Sequence, residues 1–107
     1  KMKKKRSAQR KLKHAVLTAD KLVLIANRFK MLSDPIRLQI IHFLMDGERT
    51  VGEIQAEVQT SQPNVSKHLF LLTQDKILER RKEGVSVYYQ IADEMVYELC
   101  DLVCRNL

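Results

Sequence analysis

The stretch Ser-Gln-Pro-Asn-Val-Ser-Lys at residues 61–67 gathers two amides, a hydroxyl and an ammonium within about two helical turns: Gln62, Asn64, Ser66 and Lys67. Side chains of these types match the edges of nucleic-acid bases, because Gln and Asn fit adenine, Lys suits guanine or phosphate, and Ser suits either. Three consecutive cationic residues, Arg80, Arg81 and Lys82, have the charge to meet a phosphate backbone or minor groove. A third group, Cys100 and Cys104, places two thiols one helical turn apart. At that spacing the Cβ atoms lie roughly 5–6 Å apart, farther than the roughly 3.8 Å of an unstrained disulfide. Oxidation or persulfide bridging would therefore deform the helix end, and a cross-subunit disulfide would deform an interface. The same thiolates could clamp a soft ion such as arsenite or cadmium, with its coordination left incomplete. Each group also has a plain reading: a polar helix start, a solvated edge strand protected by charge, and two small thiols packed among Leu99, Leu102 and Val103.

The elements that position these groups follow from periodicity and end signals. Apolar rows at Leu12, Val16, Ala19, Val23 and Ala26, and at Leu22, Ile25, Phe29 and Leu32, predict a first helix over about residues 10–31 with two contact faces. Asp34 caps a second helix that has Pro35 at its first position and runs to about Met45, where Asp46, Gly47 and Glu48 end it. Thr50 and Glu53 form a capping box for a short third helix through about Val58, and Ser61 caps the fourth. On that fourth helix Val65, Leu69 and Leu72 share the packing face, which turns Gln62, Asn64, Ser66 and Lys67 elsewhere. Pro63 is tolerated in its first turn, where the missing N–H has no intrahelical acceptor. Branched and aromatic residues on both sides of a turn at Lys82 to Gly84 predict a β-hairpin, and a last helix runs from about Asp93 to Asn106.

Charge is unevenly spread along the 107 residues. Positions 1–14 carry eight Lys and Arg and no acid, leaving eleven basic against thirteen acidic residues in the remainder. The net charge of +6 thus belongs to an N-terminal arm, either a solvated tail or a strand that displaces counterions from nucleic acid. Residues 15–107 read as one folded domain of modest core that gains from a partner subunit. The longest apolar run near the arm, Leu22 to Ala26, is too short for an export signal or a membrane span, so a soluble cytoplasmic protein with reduced thiols is expected. Paired carboxylates, a Gly-rich phosphate loop and a Cys–His arrangement are all missing from the sequence, which argues against an enzyme. His14, His42 and His68 have no metal-ligand spacing, and no cofactor motif is present.

Taken together, "LSDPIRLQIIHFL", "TVGEI", "SQPNVSKHLFLL" and "RRKEGVSVYYQI" resemble the ArsR/SmtB family of bacterial repressors over about Phe29 to Ile91. The resemblance implies a mainly α fold with a small β-hairpin wing, a winged helix-turn-helix in the order α-α-α-α-β-β-α. It also implies a homodimer through the first and last helices whose two recognition helices bind an inverted repeat in double-stranded DNA. Gln62, Pro63, Asn64, Ser66 and Lys67 match the family's DNA-contacting segment, although Pro63 replaces the small hydroxyl residue often found there. The sequence departs from both common metal sites of the family: the third-helix segment "RTVGEI" has no cysteine, and the last helix has no histidine. What remains for sensing is Cys100 and Cys104, as a thiol switch or a soft-metal site. A winged-helix module for protein interaction is the rival, and it would show an exposed apolar patch where a DNA reader keeps basic residues.

Overall fold

The computed structural model describes residues 16–107. Its first helix, α1, spans Ala19–Leu32 and starts where the Thr18 hydroxyl accepts from the Lys21 amide at 3.2 Å. Over residues 16–18, expected to be helical, the chain is not, and the expected start near residue 10 lies outside the described residues. Val16 and Leu17 precede the cap, and residues 10–15 and the basic arm at 1–14 lie outside the described residues. A β-configured Thr with Asp20 in the following turn overrides the apolar row that runs through it.

Helix α2, Pro35–Leu44, begins as expected. Asp34 accepts from the amides of Ile36 at 2.8 Å and Arg37 at 3.1 Å, and these backbone donors hold its carboxyl below the usual range. The Thr50–Glu53 capping box is formed reciprocally at the start of α3, Val51–Glu57. Helix α4, Gln62–Gln74, starts at Ser61, whose hydroxyl accepts from Asn64 at 3.3 Å. At its far end Lys76 takes a positive φ of 62°, turning the chain out of the helix.

A three-stranded antiparallel sheet follows, in which β1 (Arg49–Thr50) pairs with β3 (Ser86–Ile91) and β3 with β2 (Leu78–Glu83). The two residues of β1 carry too little pattern to be read in advance. In the hairpin the turn begins two residues later than expected and ends one residue later. Lys82 and Glu83 belong to β2, and Gly84 and Val85 form a two-residue loop whose first position needs the positive φ, 61°, that Gly84 supplies. Asp93 caps the last helix, α5, Glu94–Arg105.

The core is shared by every layer: Ile40, Ile41 and Leu44 from α2, Ile54 from α3, Val65, Leu69 and Leu72 from α4, Ile77 and Leu78 at the sheet, and Val96 from α5. Helix α1 contributes only Leu32 to it, and Leu22, Val23, Leu24 and Phe29 remain exposed. Polar links fix α1 instead. Arg28 pairs with Asp93, the cap of α5, and lies 3.6 Å from Asp75, the C-cap of α4, while Asn27 donates to Asp75 at 3.0 Å.

Candidate nucleic-acid interface

Helix α4 is held from behind. Val65, His68, Leu69 and Leu72 are buried, so its other side is presented to solvent, with Gln62, Pro63, Ser66, Lys67, Phe70 and Gln74 exposed. Asn64 is half-buried, and its amide donates to the Thr60 hydroxyl at 3.0 Å, which engages its donor in the free protein. Of the four polar side chains expected to turn outward, Gln62, Ser66 and Lys67 are exposed and Asn64 only in part, and the same side exposes an apolar residue not expected there, Phe70, at 63%. Its position one turn beyond Ser66 and Lys67 was the available signal.

Residue Arg37 supports this helix from α2. It donates from Nε to the Met31 carbonyl at 2.6 Å and from Nη2 to that of Lys30 at 3.3 Å, satisfying carbonyls at the end of α1, and from Nη1 to His68 Nδ1 at 3.1 Å. His68 is buried. Burial pushes its pKa down, Asp34 opposes that shift, and Arg37 and Lys67 add to it. His42 is exposed along one groove.

The cationic triplet of the hairpin divides between the two faces of the sheet, because side chains alternate along β2. Arg80 and Lys82 share the face of Leu78. Arg80 lines one cleft of about 270 Å³ with Ser66 and Phe70 of α4. Arg81 falls on the other face, where Nε and Nη2 bind both oxygens of Glu48 at 3.0 and 2.8 Å, and Nη1 binds Glu83 at 2.9 Å. Its guanidinium also lies 4.5 Å from the Tyr88 ring centroid. The two carboxylates push the Arg81 pKa up, and hydrogen bonding to Arg81 pulls that of Glu48 down. Glu48 could not be anticipated as a partner, since only the fold brings it to β2.

The two thiols lie on α5, with Cys100 half-buried and Cys104 exposed. Burial, with Cys104 adding to it, pushes the Cys100 thiol up. Among the described residues no group of three His, Cys, Asp or Glu side chains could hold a metal ion, and no helix is long and apolar enough to cross a membrane.

Two helices joined across Val58 to Ser61, the second turned outward with polar side chains, followed by a hairpin beside it, define a winged helix-turn-helix. Residues 34–79 match the family described as bacterial regulatory protein, arsR family. The chain is 32% identical over 83 residues to the HTH-type transcriptional regulator KmtR of Mycobacterium tuberculosis, covering 78% of this chain and 64% of KmtR. It is 32% identical over 75 residues to the biofilm growth-associated repressor of Xylella fastidiosa, covering 70% of this chain and 66% of that protein. The chain thus spans slightly less than two thirds of either relative. The solution structure of Mb0332 from Mycobacterium bovis, described as a homodimeric winged helix-turn-helix DNA-binding domain of a possible ArsR-family regulator, superposes with a TM-score of 0.72 at 34% identity. That match covers 84% of this chain and 86% of the other. The chain belongs to the arsR family of bacterial regulatory proteins.

Proposed function

We propose that this protein is a cytoplasmic transcriptional repressor that binds an inverted-repeat operator in double-stranded DNA as a homodimer through α1 and α5. The observation that carries the reading is the cleft shared by Ser66 of α4 and Arg80 of the wing, which puts the outward polar face of one beside the cation of the other. Gln62, Asn64, Ser66 and Lys67 enter the major groove, with Asn64 exchanging its Thr60 hydrogen bond for a base edge. Arg80 and Lys82 meet phosphate or the minor groove, and Arg81, held by Glu48 and Glu83, sets the attitude of the wing.

Dimerisation through α1 and α5 is supported by their unburied apolar side chains, among them Val23, Leu24, Met95 and Leu102, and by the homodimeric state of the Mb0332 domain. The basic recognition face favours DNA over a protein-interaction module, for which Phe70 is the lone large apolar side chain exposed on α4. Release of the operator follows modification of Cys100 and Cys104. A soft-metal response through the same pair is the second reading, which the pairing of two thiols on one helix face supports.

The test is binding of the full chain to DNA flanking its own gene over a salt series. Retention on one imperfect palindrome, with log affinity falling by about 0.9 for each phosphate contact per unit of log salt, supports the reading. Equal affinity for every duplex, or none, would overturn it.

A further inference from the structure

Cys100 and Cys104 border a groove of about 380 Å³ between α5 and the α1–α2 pair. Apart from these thiols and His42, every side chain lining it is apolar, with Phe29, Leu38, Met45, Leu99 and Val103 among its walls. The volume falls within the roughly 300–1,000 Å³ of small-molecule sites, and the lining suits a ligand with few polar atoms. The two thiols differ in access. Cys104 is exposed at the rim, whereas Cys100 is half-buried in an apolar setting, which disfavours its thiolate. A polar oxidant gains nothing from such walls. An alkyl chain gains roughly fourfold in occupancy for each methylene that leaves water.

We propose that the groove takes an apolar α,β-unsaturated carbonyl compound, whose chain lies along Phe29, Leu38 and Leu99 while the Cys104 sulfur attacks its β-carbon. The inference rests on the reading of the cysteine pair as the regulatory site and names the chemical class that it answers to. The Cys104 thiol first loses its proton to solvent. A sulfur–carbon bond then forms as the carbon–carbon π bond breaks, and the electron pair moves to the carbonyl oxygen as an enolate. Protonation of the α-carbon by water restores the carbonyl, so no oxidant or reductant is needed. Phe29 and Leu99 also wall a second groove, of about 360 Å³, with Leu24, Ile25 and Met95. A chain wedged against them is thereby transmitted to the α1–α5 face proposed to hold the dimer.

The experiment compares trans-2-nonenal with trans-2-butenal, which share one reacting group and differ by five methylenes, on the full chain and on glutathione. Adduct formation is followed by intact mass and peptide mapping. The ratio of nonenal to butenal rates is expected to exceed that of glutathione by about tenfold or more, with the first adduct on Cys104. Leu38→Gln, which makes one wall polar, is expected to cut that excess, and Cys104→Ser to abolish the fast adduct. A ratio equal to that of glutathione, or first labelling at Cys100, overturns the proposal. The ratio is read without DNA, so a failure of operator binding counts against the repressor reading and leaves this measurement standing. Preferential labelling that leaves operator affinity unchanged would refute the regulatory role of the site.

Discussion

Arg37 Nη1 donates to His68 Nδ1 at 3.1 Å, joining α2 to the inner face of α4. Guanidinium has donors only, so Nδ1 accepts and the neutral ring carries its proton on Nε2. Since the same arginine holds the last carbonyls of α1, one side chain orients three helices around the outward face of α4. Protonating His68 would set two cations against each other in a buried site beside Lys67, with Asp34 as the acid that opposes this.

The pH dependence of stability follows. A histidine with a depressed folded pKa binds fewer protons folded than unfolded below the unfolded value of 6.5, so its contribution is complete above that pH and declines as pH falls toward the folded value. Thermal unfolding is expected to show a midpoint that drops from pH 7 to pH 5. His68→Gln, which retains an acceptor for Arg37 but does not titrate, should flatten that part of the profile. An identical slope in both proteins would assign the effect to other groups.

The alternation along β2 separates the wing cations by function. Arg80→Ala and Lys67→Ala should each weaken operator binding by roughly tenfold and lower the salt slope by about one phosphate contact. Arg81→Ala should leave the salt slope nearly unchanged, because Glu48 and Glu83 already neutralise that charge. Fluorescence anisotropy with a labelled operator across a salt series measures all three. Equal slopes for Arg80→Ala and Arg81→Ala would refute the division of the triplet between the two sheet faces.

The Ser61 cap serves stability and docking together. Ser61→Ala removes the acceptor of the Asn64 amide and should cost about 1 kcal/mol, a fall of roughly 4–8 °C in the unfolding midpoint of a domain this size. Gly at the same position should lose only a few tenths of that energy. Calorimetry of the two variants separates loss of the cap from general damage to the helix.

Local rules carried most of the architecture from the sequence. Asp34, Thr50 with Glu53, and Ser61 each mark a helix start through a side chain that satisfies nearby amides, and all three do so in the structure, where Asp93 adds a cap at what the sequence marks only as the approximate start of the last helix. Val65, Leu69 and Leu72 likewise betrayed the packing face of α4 by their spacing. Long-range relationships were illegible. Nothing near Glu48 announces Arg81, and β1 becomes a strand only because Arg49 and Thr50 meet Tyr89 and Tyr88. At the candidate site the residue types were readable, whereas their engagement was not. Asn64 turned toward Thr60 and Arg81 clamped by two carboxylates are products of the assembled fold.

The proposed dimer face can be broken without touching the core. Val23 is 68% exposed on α1 and Leu102 is 51% exposed on α5, so neither stabilises the described protomer by burial to any large extent. Val23→Glu and Leu102→Lys should therefore leave the thermal transition of a protomer in place while placing charges at an apolar contact between subunits. Sedimentation velocity is expected to show dimer for the parent chain and monomer for each variant at micromolar concentration. Operator affinity should fall by more than for Lys67→Ala, because each half-site must then be bound alone, without the effective concentration that linkage supplies. Dimers that survive both substitutions would place the interface elsewhere than on α1 and α5. A parent chain that sediments as a monomer would remove the geometric basis for reading an inverted repeat.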